Sequence, residues 1–94
     1  MENNSNKLLE ANLNSTEYVN QVFNFYEKEL IDKKEIVIDL SGINFVSVFF
    51  LRRLEEFTKR AKDLNAKVQI TNATPTVYKV FHVAKSKDIL EAII

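Results

Sequence analysis

The sequence predicts an α/β fold with a parallel or mixed sheet, and three observations carry that prediction. Two short runs rich in β-branched and aliphatic residues, EIVIDL at 35–40 and AKVQIT at 66–71, are too short for helices and read as strands. The longer segments around them repeat apolar residues at three- and four-residue steps, the helical period. Strands that alternate with helices of this length need crossover connections, which give parallel pairing. The 94 residues are expected to form one domain, 1–94, with residues 1–6 a polar, flexible tail.

Taken in order, KLLEANL at 7–13 is the candidate first strand, although adjacent Leu8 and Leu9 break its alternation. Asn14, Ser15 and Thr16 are all N-cap types, and they open a first helix. Val19, Val22, Phe23, Tyr26 and Leu30 share one face of that helix, which runs to Ile31 and ends at DKK. EIVIDL reads as a strand buried on both faces, as in a parallel sheet. SGIN follows as a loop, with Gly42 as its turn residue.

The second helix is expected from about Val48 to Leu64. Its core stripe is Phe50, Leu54, Phe57, Ala61 and Leu64, with Leu51 at the margin. Phe49 lies roughly 120° from the centre of the stripe and Val48 further still, so both are expected to point outward or along the helix end. AKVQIT is the next strand. Thr74 as N-cap and Pro75 in the first turn open a third helix that reaches about Lys85. KDILEAII is a short helix or strand.

Composition excludes several function classes. Thirteen basic and thirteen acidic residues cancel, which leaves no clustered basic surplus for nucleic acid. The absence of cysteine removes disulfides, thiolate metal sites and cysteine catalysis. The polar start, MENNSNK, is not a signal peptide, and no apolar run approaches the ~20 residues of a membrane span. A cytoplasmic location without membrane insertion is the expectation. One glycine and one proline leave little room for a glycine-built phosphate cradle.

Few residues point to catalysis. Val77, Val80, Phe81 and Ala84 form the expected buried stripe of the third helix; His82, the one histidine, falls off it and is expected to be exposed or at the boundary. Glu55–Lys59 and Glu56–Arg60 have the favourable helical spacing and read as a solvated, ion-paired face. Asp39 closes a buried strand at the sheet edge where α/β proteins hold ligands, and it reads first as a loop or cap partner. No metal-ligand spacing, cofactor motif or nucleophile–base set is visible, so neither cofactor nor enzymatic activity is expected.

The segment IVIDLSGINFVSVFFLRRL resembles the STAS family, named for sulfate transporters and anti-sigma factor antagonists. The family pattern is a strand reading roughly V-x-D-L-S-G-V, then an apolar pair, then D-S-S-G-L opening a helix. Asp39, Ser41 and Gly42 match the strand motif, and AKVQITNATPTVYKVFHVAK resembles the strand and proline-started helix downstream. The resemblance implies a mixed, mostly parallel sheet of about four strands with helices packed mainly on one side. It also implies a non-enzymatic module for protein–protein interaction.

With Leu51 at the family leucine, Phe50 stands at the glycine, Phe49 at the phosphorylated serine, Val48 at the first serine and Ser47 at the aspartate. The phosphosite is therefore degenerate at Phe49. The partner-binding surface carried over is Ser47, Val48, Phe49, Arg52 and Arg53. Burying one Phe contributes on the order of 1.5–3 kcal/mol, enough for an interface anchor.

The partner expected is a protein: an anti-sigma factor or serine kinase, or the ATPase of a phospholipid-transport ABC system served by an accessory subunit. Only about thirteen residues precede the first helix, where the family usually places two strands. A trimmed sheet edge would then invite a homodimer.

Overall fold

The computed structural model describes residue 8 and residues 10–94, so the tail expected at 1–6 lies outside the described residues. A 3-10 turn at Glu10–Asn12 leads into helix α1, Thr16–Lys33. Ser15 caps α1, its hydroxyl accepting the Tyr18 N–H at 3.2 Å. Lys34 ends it in the left-handed region at φ 60°, its N–H donating to the Leu30 carbonyl. Strand β1, Glu35–Asp39, starts at the next residue.

β1 runs parallel to β2, Lys67–Thr71, with Ile36 opposite Val68 and Ile38 opposite Ile70. The connection is helix α2, Val48–Asp63, so the three elements make the predicted crossover unit. Lys67 N–H to Lys34 O (2.9 Å) and Leu40 N–H to Thr71 O (2.9 Å) extend the pairing beyond both strand ends. Thr74 and Pro75 open helix α3, Pro75–Ala84, as expected, and helix α4 covers Lys87–Ala92.

Two strands, rather than about four, are present among the described residues. The expected first strand fails at its described end. Residues 10–12 close into a 3-10 turn, and Leu13 N–H bonds back to Glu10 O. Leu8 bonds the sheet edge, its N–H donating to Asp39 O at 3.4 Å, while Lys7 and Leu9 lie outside the described residues. KDILEAII divides: its first six residues are α4, and Ile93 then makes a single parallel bridge to Ile70.

β1 is not buried on both faces. Ile36, Ile38 and Leu40 are buried, whereas Val37 and Asp39 between them are half-buried and Glu35 is exposed. The apolar run IVI suggested two covered faces, but the core gathers on one.

Facing that side, four rings form the centre of the core. Phe23 and Tyr26 of α1 pack on Phe50 and Phe57 of α2 with centroids 5.6–5.8 Å apart. Leu54, Ala61, Val77, Phe81 and Ile89 complete it from α2, α3 and α4. Leu64, expected in the stripe, is the C-cap of α2 and partly exposed, because the helix ends one residue before it. Thr58, which the stripe omitted, is buried and returns its hydroxyl to Glu55 O at 3.0 Å.

Candidate functional site

The loop from β1 into α2 is pinned at every turn. Asp39 Oδ1 accepts the Ser41 N–H at 2.9 Å and the Asn72 side-chain amide at 3.1 Å, tying the ends of both strands together. Gly42 turns the chain at φ 80°, where a side chain would be strained. Ile43 is buried, and its carbonyl accepts the Thr74 hydroxyl at 2.8 Å; Thr74 Oγ1 in turn accepts the Val77 N–H. From the other side, Glu10 Oε2 accepts the Asn44 N–H. Asp39, Ser41 and Gly42 thus shape a rigid turn.

Ser47 is the N-cap of α2. Its hydroxyl accepts the Phe50 N–H at 3.0 Å and donates to the Leu13 carbonyl at 3.3 Å. Both capacities of the group are used in holding the helix start to the N-terminal segment.

The first turns of α2 distribute the remaining predicted residues over two flanks of the buried stripe. On the flank toward α1, Phe49 is half-buried against the core. Arg53 follows one turn later with its guanidinium carbon 5.4 Å from the Phe23 ring centroid and Nη1 3.6 Å from Glu56. On the flank toward α3, Val48 stands 72% exposed, with Arg52 exposed beside it.

The exposed apolar knob is therefore Val48, not Phe49. The 100° helical step placed both away from the stripe. It could not show that Leu8, Leu13 and α1 close over one flank only.

An apolar groove lies between that outer flank and α3. Val48, Leu51, Arg52, Glu55, Ala84 and Ser86 line one part of it. Leu51 and Ala84 continue into a second part with Thr76, Lys79, Val80 and Val83. Val83 is 73% exposed. Ser86 is 5% exposed, and its hydroxyl has no hydrogen-bond partner among the described residues.

The sequence reading missed Leu51, Val80, Val83 and Ser86 as one surface. They come from three segments that only the fold brings together. The expected buried stripe of α3 is Val77, Val80, Phe81 and Ala84, but only Val77 and Phe81 are buried; Val80 is half-buried, Ala84 is exposed, and apolar Val83 lies off the stripe.

Other predicted polar contacts shift partner. Arg60 bonds Glu27 of α1 at 2.7 Å rather than Glu56, and Glu56 pairs with Arg53. Lys62 reaches Asp88 and Glu91 of α4 at 3.2 and 3.1 Å, and both contacts, Glu91 first, raise its pKa. His82 is exposed, as expected, its ring 4.5 Å from that of Tyr78. Among the described residues, no three His, Asp or Glu side chains converge as metal ligands, and no helix is long and apolar enough to cross a membrane.

A parallel strand pair joined through a capped helix and backed by three more defines a small α/β domain. The chain belongs to the STAS domain family: the family model, described as STAS domain, matches residues 3–93. Membership agrees with the sequence resemblance and is consistent with a non-catalytic interaction or regulatory module. No curated protein and no solved structure matches the chain significantly.

Proposed function

We propose that the protein is a STAS interaction module that binds a protein partner through the opening of α2 without phosphorylation control. The observation that carries this reading is the exposed Val48 at the head of an apolar groove, next to a helix start whose phosphosite position holds Phe49. Arg52 adds charge at the rim, while Ser47, Phe49 and Arg53 hold the surface in shape from beneath and from the α1 flank. The free N–H groups of a helix start stabilise a phosphate, but Phe49 has no oxygen to carry one. Phosphate on Ser47 would cost the cap and the Leu13 contact. Binding is accordingly constitutive.

The test is a pull-down from the cytosol of the source cells, comparing wild type with Val48→Asp. Asp at the first helical position suits the helix dipole, so the variant keeps its fold. We expect the wild type to recover a serine kinase, an anti-sigma factor or a transport ATPase, and Val48→Asp to lose it. Equal recovery by both proteins defeats the assignment of the site. In parallel, incubation with the recovered kinase should leave the intact mass unchanged; a gain of one phosphate defeats constitutive binding and supports a partner-switching antagonist.

A further inference from the structure

We propose that the groove between α2 and α3 receives an acidic amphipathic helix of the partner protein. This rests on the interaction reading above and specifies the chemistry of the partner.

The apolar lining of the groove is Val48, Leu51, Val80, Val83 and Ala84, with Leu51 and Val80 half-buried and the other three exposed. Ala84 is small and sits where the two parts of the groove meet, which leaves room for a larger side chain from outside. The walls are helices, and away from their ends the main-chain groups are already bonded internally. An extended peptide would find no ladder to join here, whereas the side-chain ridge of a helix fits a trough between helices.

Charge selects the occupant. Arg52 and Lys79 line the groove, and exposed Lys85 and Lys87 stand on either side of Ser86 in the chain. These four cations have no ion pair among the described residues, as is also true of Lys28, Lys34, Lys59 and Lys67 elsewhere, so no carboxylate neutralises them locally; Lys33, Arg53 and Arg60 each have one such partner and Lys62 has two. Residues 64–87 contain no Asp or Glu at all, so a chain of zero net charge keeps a basic margin on this side. Asp88 and Glu91, the next carboxylates, are taken up by Lys62.

An anionic bilayer would supply the same charge. It fits less well, because the surface is concave.

The experiment is selection of helical peptides of about 15 residues from a displayed random library against the purified protein. Circular dichroism on the Val83→Glu and Lys79→Glu variants checks that these exposed sites leave the fold intact. We expect enriched peptides with large apolar residues at every third or fourth position and a net negative charge. Their affinity should fall about ten-fold or more on Val83→Glu, on Lys79→Glu and in about 0.5 M salt.

No enrichment, neutral or basic winners, or equal binding to the variants overturns the proposal. Co-flotation of the wild type with phosphatidylcholine–phosphatidylserine vesicles, lost in Val83→Glu, overturns it in favour of a membrane. A partner pull-down that is lost with Val48→Asp but unaffected by Lys79→Glu and by salt keeps the interaction module and overturns only its acidic ligand.

Discussion

Ser47 and Ser86 both precede a helix, and their hydroxyls meet different fates. Ser47 Oγ bonds Phe50 N–H and Leu13 O, while Ser86 Oγ is buried and has no partner among the described residues. Ser47→Ala should therefore lower the unfolding free energy by about 1–2 kcal/mol in urea titration. Ser86→Ala should stay within about 0.5 kcal/mol of wild type or gain, because it removes a buried polar group without a partner. Gly42 offers a third test at this scale. Space around it is open, yet φ is 80°, so Gly42→Ala should cost about 1 kcal/mol through backbone strain alone. A larger loss would mean that the turn also holds the helix start in register.

At the level of elements, α2 is the organising piece. It contacts α1, β2 and α4, and its Phe50 and Phe57 meet both α1 rings. Phe50→Ala removes a fully buried ring and should cost about 3–5 kcal/mol, whereas Phe49→Ala, half-buried on the flank, should cost less than half of that in the same titration.

This element also shows what the sequence disclosed and what it withheld. The helical period identified Phe50, Leu54, Phe57 and Ala61 as core, and the capping residues Ser15, Thr74 and Pro75 marked two helix starts correctly. Periodicity reports direction around one helix and nothing about which neighbour stands there. Phe49 and Val48 looked alike until α1, Leu8 and Leu13 closed over one flank. The first strand failed for a related reason. The apolar spacing of Leu8 and Leu13 suits either a strand or a tight turn, and the tie between Ser47 and the Leu13 carbonyl helps fix the latter arrangement.

For the whole molecule, the pH response follows from Tyr26. Burial, then Tyr18 and Asp39, push its phenol well above the ordinary tyrosine value. The folded state keeps a proton that the unfolded chain releases above about pH 10, so this contribution to stability is full below that point and is lost as pH rises further. Tyr26→Phe lacks it. The stability difference between the two proteins should be flat from neutral pH to about 9 and then move in favour of the variant. Exposed Lys33 and Lys62, whose pKa values are also raised, titrate in both proteins and drop out of the comparison. A difference that stays constant above about pH 10 would contradict a buried phenol.

The β1–β2 pair has a further consequence, in the order of events during folding. Its strands are parallel and separated by the whole of α2, so neither can find the other through a local turn. Collapse of α2 onto the incipient strands has to precede or accompany their pairing, which places Leu54 inside the folding nucleus. Helix α4 comes last in the chain, and the segment after it meets the sheet by one bridge at Ile93, so α4 is expected to dock late. Leu54→Ala should then mainly slow refolding, and Ile89→Ala mainly speed unfolding, a contrast that the two arms of a chevron plot separate.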